Sequence, residues 1–136
     1  ASDWISQKDR YHSEGGYAMD VMLYKEKTTE IVINPMIEFL EDWGGEEYTK
    51  EDVLKCERLV HTYPEALDAL SDPTNDAIME EVKTLVLALN DLNEETDYCL
   101  IETEAREALW EVIQTSAVAC GLQNAPADIT EEWRDW

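Results

Sequence analysis

Apolar side chains recur with the 3.6-residue period of an α-helix over two long stretches between about residues 75 and 121. The two stretches predict two amphipathic helices, and residues 92–96 form a short acidic connector between them. Because so short a connector returns the chain antiparallel, the pair should form an αα-hairpin. The apolar stripes consist of Ile78, Val82, Leu85, Val86, Leu89 and Leu92, then Ile101, Ala105, Ala108, Leu109, Val112 and Cys120.

Local signals predict two further helices before the hairpin. Asn34 followed by Pro35 is a typical helix start, with the cap first and the proline in the first turn, and Gly44 is a typical stop. Thr49 with Asp52 resembles a capping box, which opens the next helix.

Proline and glycine also set the expected ends of helices. The helix that begins after residue 49 should stop before Pro64, and a short helix should follow over residues 64–70. Thr96 is the expected N-cap of the second hairpin helix. Gly121 should end that helix, with Leu122 placed for the hydrophobic contact of a Schellman motif.

The first 33 residues carry less regular signals. Residues 2–12 predict a short first helix. Alternation of side chains and a β-branched run predict a β-hairpin over residues 17–33 that turns near residues 26–27. A helix through residues 19–27 is the alternative, because those residues are good helix formers and no Asn-Gly turn signal is present.

The C-terminal residues predict a last helix that packs onto the rest of the chain. Asp128 with Glu131 resembles a capping box, and Ile129, Trp133 and Trp136 follow at helical spacing. They give the tail an apolar edge, so we expect it to dock.

These elements predict a mainly α-helical fold, a helical bundle built on the αα-hairpin, with α+β as the alternative if the β-hairpin forms. The length of 136 residues suits a single domain. Residues 1–33 would form its N-terminal element, and residues 34–136 its helical part. No internal repeat or long linker interrupts the chain.

Composition adds one strong property, which is charge. The 32 acidic residues outnumber the 10 basic ones and give a formal net charge of −22. Most of the excess lies in residues 34–136, where 26 acidic residues face six basic ones. Because 44% of the residues are apolar and five are Trp, we expect a folded chain rather than a disordered one. Such a protein repels nucleic acid and anionic membranes, so its partner should be basic.

The remaining composition points to a soluble protein inside the cell. Cys56, Cys99 and Cys120 are odd in number and lack metal-binding spacing, so we expect buried, reduced thiols. The longest apolar run, residues 85–89, is too short to span a membrane, and no signal peptide opens the sequence. A cytoplasmic location is the corresponding expectation.

Acidic residues are concentrated in clusters that few lysines or arginines interrupt. The clearest cluster is Glu104, Glu107 and Glu111, which share one side of a helix, although like charges at such spacing weaken a helix. Spaced carboxylates on rigid helices can imitate the phosphates of a duplex. An ordinary solvated face is the alternative. The remaining clustered acids, which complete the acidic part of the predicted partner-binding set, are Asp91, Glu94, Glu95, Asp97, Glu46 and Glu47.

Two apolar side chains point away from the stripes of the hairpin. Trp110 and Leu87 lie about half a turn from the stripes of their helices. Either the other helices cover the hairpin on two sides, or Trp110 is an aromatic anchor for a partner. Trp110 is therefore included in the predicted partner-binding set.

Two acidic patterns in the sequence have spacings typical of metal sites. The spacing of a calcium loop is present in Asp91, Asn93, Glu95, Asp97 and Glu102, but Thr96 occupies the position that needs glycine, so we interpret these acids as a polar connector. An E-x-x-E pair followed by E-x-x-D resembles the magnesium site of all-α nucleotide pyrophosphohydrolases of the MazG type. Two sets of residues fit that spacing: Glu104, Glu107, Glu132 and Asp135, and Glu38, Glu41, Glu65 and Asp68.

The sequence thus favours a non-catalytic acidic binding protein over an enzyme, with no cofactor and no metal. It would block a basic partner, a nucleic-acid-binding protein or nuclease, as a nucleic-acid mimic or inhibitor of host defence would. The alternatives are an immunity protein against a basic toxin, the MazG-like pyrophosphohydrolase, and a housekeeping domain whose acidity reflects a salty cytosol. No direct binding to nucleic acid or to membranes is expected.

Overall fold

Helices make up most of the structure, which is a computed structural model that describes residues 20–136. None of these residues lies in a β-strand. The mainly α-helical prediction is therefore confirmed, and the predicted β-hairpin over residues 17–33 is wrong for residues 20–33. Residues 17–19 lie outside the described residues. The elements are α1 (Val21–Thr28), a π-helical segment (Thr29–Ile33), α2 (Asn34–Trp43), α3 (Lys50–Asp68), α4 (Asn75–Glu95) and α5 (Thr103–Ala119).

The predicted β-branched strand is instead part of a continuous helical path from α1 through the π-helical segment into α2. Asp20 caps α1 by accepting a hydrogen bond from the N–H of Leu23 at 3.1 Å. The buried Thr28 hydroxyl donates to the carbonyl of Tyr24 at 2.7 Å, which suits a helix rather than a strand. The widened π-helical turn lies directly before Pro35, whose ring would clash with the carbonyl four residues earlier in a regular helix. The helix predicted over residues 2–12 lies outside the described residues.

Asn34 is therefore not a helix cap. Its backbone is helical (φ −58°, ψ −43°), and its N–H bonds to the carbonyl of Thr29. The predicted end of α2 is confirmed, because Gly44 takes a positive φ of 80° that ends the helix.

Helix α3 begins as predicted but continues further. Thr49 and Asp52 form the reciprocal capping box, with the N–H of Asp52 donating to Thr49 Oγ1 at 3.2 Å. The prediction that the helix stops before Pro64 is wrong. The neighbouring side chains explain this: Tyr63 and Leu67 are buried on either side of the proline, and the Tyr63 hydroxyl donates to the carbonyl of Ile113 on α5 at 2.8 Å. Tertiary packing outweighs the hydrogen bond that the proline cannot make.

The predicted apolar stripe of α4 is confirmed, because all six of its residues are buried. In the stripe of the second hairpin helix, Leu109, Val112 and Cys120 are buried, as is Ile101 just before α5, while Ala105 and Ala108 are half-buried. Helix α4 packs more extensively against α3 than against α5, so α3 is the third element that shares its apolar stripe.

The connector between α4 and α5 differs from its prediction. Helix α4 continues to Glu95, and α5 begins only at Thr103, so Thr96 ends the first helix instead of capping the second. Two buried polar side chains hold the intervening turn. The Oδ1 of Asn93 accepts from the N–H of Ile101 at 2.9 Å, and the Oγ1 of Thr96 accepts from the N–H of Leu100 at 3.1 Å. The long-range bond from Asn93 could not be read from local signals.

The Schellman motif at the end of α5 is confirmed. Gly121 has a φ of 117°, and its N–H donates to the carbonyl of Val118 at 3.0 Å. The N–H of Leu122 donates to the carbonyl of Ala117 at 3.0 Å, and the Leu122 side chain is buried.

The tail docks as predicted but forms turns rather than a helix. Asp128 bonds the N–H of Thr130, two residues on, at 2.9 Å, which makes a local turn in place of a helix cap. Asn90 of α4 holds the tail through the carbonyl of Trp133 at 2.8 Å and the N–H of Asp135 at 3.1 Å. These bonds fix residues 128–136 on the surface of the bundle.

We expect Asn93→Ala to lower the free energy of unfolding by about 1–3 kcal/mol, because it leaves the buried N–H of Ile101 without its acceptor. Urea unfolding followed by circular dichroism measures this. The matched control is Asn34→Ala, which should change stability by less than about 0.5 kcal/mol because Asn34 is an exposed helix residue. Equal midpoints for Asn93→Ala and the unmodified chain would contradict the role given to Asn93.

Candidate partner-binding surface

An open groove of about 510 Å³ lies between two parts of the chain. One side is formed by the π-helical segment and α2, and the other by the connector and the first residues of α5. Its floor is apolar and contains the buried side chains of Val32, Met36 and Leu100. Ile31 and Phe39 are half-buried and form part of the walls. The π-helical turn thus places two of its residues, Ile31 and Val32, in the groove.

A row of aromatic rings leads from the groove to the solvent. The ring of Phe39 stacks on that of Tyr48 with centroids 5.4 Å apart, and on that of Trp43 with centroids 6.5 Å apart. Tyr48 is buried, whereas Trp43 is 74% exposed. The positive φ of Gly44 turns the chain after Trp43 and brings Tyr48 back beneath Phe39. The indole at the outer end of this row is therefore open to solvent.

Three exposed carboxylates surround this apolar floor. Glu47 comes from the loop between α2 and α3, and Glu102 and Glu104 come from the start of α5. The Thr49 capping box fixes the end of the first segment. The bond from Asn93 to Ile101 fixes the beginning of the second. The rim is therefore assembled from segments more than fifty residues apart.

The electrostatic field of the rim acts on two side chains of the groove. Burial raises the pKa of Tyr48 to about 12, with further contributions from the charges of Glu47 and Glu102. Burial also raises the pKa of the half-buried Cys99 thiol, and Glu47, Asp97 and Glu102 add to the shift. The expectation that all three thiols are buried therefore holds for Cys56 and Cys120 but not for Cys99.

The acidic surface continues from the groove along the connector to the tail. Tyr98, which is 51% exposed, has its pKa raised first by Glu94, then by loss of solvation, Asp135 and Asp97. The charge of Asp97 raises the pKa of both Tyr98 and Cys99. Asp97 therefore connects the acids beside the groove with those of the connector and the tail. We call this surface the acidic face, and it consists of Glu47, Glu94, Asp97, Glu102, Glu104 and Asp135.

The ion pairs among the described residues lie outside the acidic face. The ion pairs among residues 20–136 join Lys25 to Glu65, Lys27 to Glu30, Lys55 to Glu95, and Arg134 to Asp128. None of these pairs includes a residue of the acidic face. The negative charge of the acidic face is therefore not neutralised by any of these ion pairs.

The predicted partner-binding residues divide into two groups. Glu47, Glu94, Asp97 and Glu104 lie on the acidic face. Glu46 and Asp91 are exposed, and Glu95 lies 4.0 Å from the Nζ of Lys55. Charge clustering in the sequence pointed to these acids, but their convergence depends on the fold.

The predicted cluster of Glu104, Glu107 and Glu111 on α5 belongs only in part to the groove. Glu107 is exposed and Glu111 is half-buried, and only Glu104 lines the groove. The indole N–H of Trp110 bonds to the Oε1 of Gln114 at 2.7 Å and to the carbonyl of Ala127 at 3.2 Å. Trp110 thus holds the loop before the tail, although its ring remains 37% exposed. Leu87 is 42% exposed, so its side of α4 is only partly covered.

Sequence reasoning missed Glu102 and Asp135 as members of this surface. In the sequence each fits only a metal-site spacing, Glu102 that of the calcium loop and Asp135 that of the MazG-like motif. Phe39 and Tyr48 carried no signal beyond their apolar character. Only contacts between distant segments identify them as neighbours.

The metal-site motifs do not assemble in the part of the chain that the structure describes. No group of three or more His, Cys, Asp or Glu side chains within residues 20–136 is arranged to hold a metal ion. The Oδ1 of Asn93 is occupied by the N–H of Ile101, and Glu65 pairs with Lys25 at 2.6 Å. The spacing that resembles the MazG-type site is thus not accompanied by convergence of its carboxylates.

Comparisons with known proteins add no family. No protein-family model, no curated protein and no solved structure matches this chain. Among the helices of residues 20–136, none combines the length and the apolar character needed to cross a bilayer. Interpretation of the site therefore depends on its geometry and charge.

We expect the double variant Glu47→Gln, Glu102→Gln to lower the pKa of Tyr48 below about 12, because two of the negative charges that oppose its ionisation are removed. Ultraviolet difference titration against a Tyr48→Phe variant assigns the transition to this residue. The control is Asp72→Asn with Glu80→Gln, which changes the charge equally at exposed positions elsewhere. An unshifted Tyr48 transition would contradict the proximity of the two glutamates.

Stability should also fall as the pH rises from 10 towards 12. The folded-state pKa of Tyr48 lies above its ordinary value of 10, so the unfolded chain loses this proton first and unfolding becomes easier as the pH rises. Tyr48→Phe should make the loss of stability across this range shallower than in the unmodified chain. Urea midpoints measured at several pH values test this, and parallel curves for the two proteins would count against it.

Proposed function

We propose that this chain is a non-catalytic acidic binding protein that blocks a basic, nucleic-acid-binding partner. The observation that supports the proposal most is the acidic face, where the charges of carboxylates from separate segments act on Tyr48, Tyr98 and Cys99 and form no ion pair among the described residues. Repulsion among them raises the free energy of the free protein. A basic partner would relieve that repulsion on binding.

The chemistry of such a partner follows from the sign and the concentration of the charge. A surface of this kind repels phosphates but attracts lysines and arginines that normally bind them. Carboxylates held on helix ends and on a hydrogen-bonded connector would occupy a cleft that otherwise receives a nucleic acid. Competition for that cleft is the proposed mechanism of inhibition.

Two biological settings share this mechanism. In one, the partner is a host-defence protein or nuclease and the chain is an inhibitor encoded by a phage or mobile element. In the other, the partner is a basic toxin and the chain is its immunity protein. Either setting implies a cytoplasmic encounter, and the identity of the recovered partner distinguishes them.

Association should be fast and sensitive to salt. Complementary charge steers the encounter and raises the association rate constant towards about 10⁸ M⁻¹ s⁻¹ at low ionic strength. Salt screens exposed charges with a Debye length of about 8 Å at physiological ionic strength. Affinity should therefore weaken steeply as salt is added.

We expect the triple variant Glu47→Lys, Glu102→Lys, Glu104→Lys to lose capture and inhibition of the partner by at least about 100-fold, because three attractive contacts become repulsive. The matched control is Asp68→Lys, Asp72→Lys, Glu80→Lys, which has the same net charge. Its three sites are exposed near the N-terminal end of α4, and Glu80 lies about 21 Å along the helix from Glu94. The control should keep most of its affinity.

The measurement begins with both variants and the unmodified chain as baits in an extract of the native host at low salt. Proteins retained by the unmodified chain and the control, but not by the triple variant, are identified by mass spectrometry. Each is then tested for loss of duplex binding when the unmodified chain is added. If the two variants retain the same proteins equally well, or if the partner still binds nucleic acid, the proposal fails.

A further inference from the structure

We infer that the groove receives one large apolar side chain from a partner segment that carries lysine or arginine on both sides of it. This inference rests on the proposed function, because it describes how the same acidic face would bind its partner. The decisive juxtaposition is a groove whose lining combines accessible apolar side chains, the half-buried Ile31 and Phe39 and the exposed Pro35, with three exposed carboxylates, Glu47, Glu102 and Glu104.

The size of the groove limits its occupant. Its volume of about 510 Å³ lies within the roughly 300–1,000 Å³ of sites that take small ligands, and it is open on one side. This space suits one side chain with part of its backbone rather than a whole helix. Burial of Leu, Met or Phe there would remove apolar surface on both molecules from water.

Charge decides what surrounds that side chain. An acidic or phosphorylated segment would meet repulsion from the rim, and an uncharged one would desolvate Glu47, Glu102 and Glu104 without pairing them. Lysine and arginine can satisfy these carboxylates while their aliphatic stems pack along the apolar walls. The exposed indole of Trp43 offers a further cation–π contact at the end of the aromatic row.

Binding should then have an electrostatic contribution and an apolar contribution, which differ in their dependence on salt. The contribution of the acidic face declines with ionic strength, whereas burial of the apolar side chain does not. If the groove recognised charge alone, it would not distinguish segments with and without an apolar side chain at high salt. With the proposed anchor, the distinction would persist.

Two synthetic peptides test the inference on the full chain. The first is a short lysine–serine peptide with one central leucine, and the second has serine in place of that leucine. By titration calorimetry, the leucine peptide should bind roughly tenfold more tightly, and the ratio should persist between about 0.05 and 0.5 M salt. Ala105→Trp should reduce the ratio to about one by filling the groove, whereas Ala69→Trp, at an exposed helix end, should leave it unchanged.

A second measurement needs no variant. Cys99 lines the groove and is half-buried, while Cys56 and Cys120 are buried. The leucine peptide should slow alkylation of Cys99 several-fold, and the serine peptide should have little effect at high salt. This readout remains valid even if Ala105→Trp fails to fold.

Three results would overturn the inference: equal affinity for the two peptides, equal alkylation of Cys99 in their presence, or protection of Cys99 that rises with protein concentration alone. The last result would assign the groove to a second copy of the chain. None of them affects the charge-reversal experiment, so salt-dependent inhibition of a nucleic-acid-binding protein could stand without the groove. Conversely, a preserved leucine preference with no effect of charge reversal on capture would refute the proposed function alone.

Discussion

The fold depends on an apolar core that must hold together a surface whose charges repel one another. A formal net charge of −22 on 136 residues favours expansion of the chain, and the exposed acids gain little from the few ion pairs described. The opposing force is burial along α4, whose whole apolar stripe is removed from water between α3 and its other neighbours. Because the core supplies the stability, the surface is free to carry charges that stabilise nothing within the protein itself.

Buried polar side chains hold the connector and the tail, which carry several of the exposed carboxylates, in fixed positions on the core. Asn93 and Thr96 accept hydrogen bonds from the backbone of the connector, and Asn90 does the same for the tail. Between these anchors, Asp97 and Tyr98 both take positive φ angles, of 55° and 63°. Such conformations cost about 1–3 kcal/mol for residues other than glycine, and they persist only where the surroundings determine them. The acids of the connector and the tail are therefore held in place before any partner arrives, which lowers the ordering cost of binding.

The features that could be predicted from the sequence are those in which neighbouring residues decide the structure. The stripe of α4, the Thr49 capping box and the Schellman motif at Gly121 all follow from spacing along the chain. The errors occur where distant contacts decide. Packing around Tyr63 carries α3 through Pro64, and the bond from Asn93 delays the start of α5 to Thr103. The site follows the same rule, since clustering identified Glu47 and Glu104, whereas Glu102, Asp135 and the aromatic row required the fold to bring them together.

Charge and shape make different contributions to recognition on this surface. Carboxylates accelerate encounter with many basic proteins, and alone they would bind those proteins with little discrimination. The proposed use of the groove would add a requirement that only some partners meet, because an apolar side chain would have to lie between basic ones that reach Glu47 and Glu104. Burial of that side chain would slow dissociation, and dissociation rates account for most differences in affinity between related complexes. The proposed inhibitor would need both properties to find one target among many basic proteins, and Glu47, Glu102 and Glu104 belong both to the acidic face and to the lining of the groove.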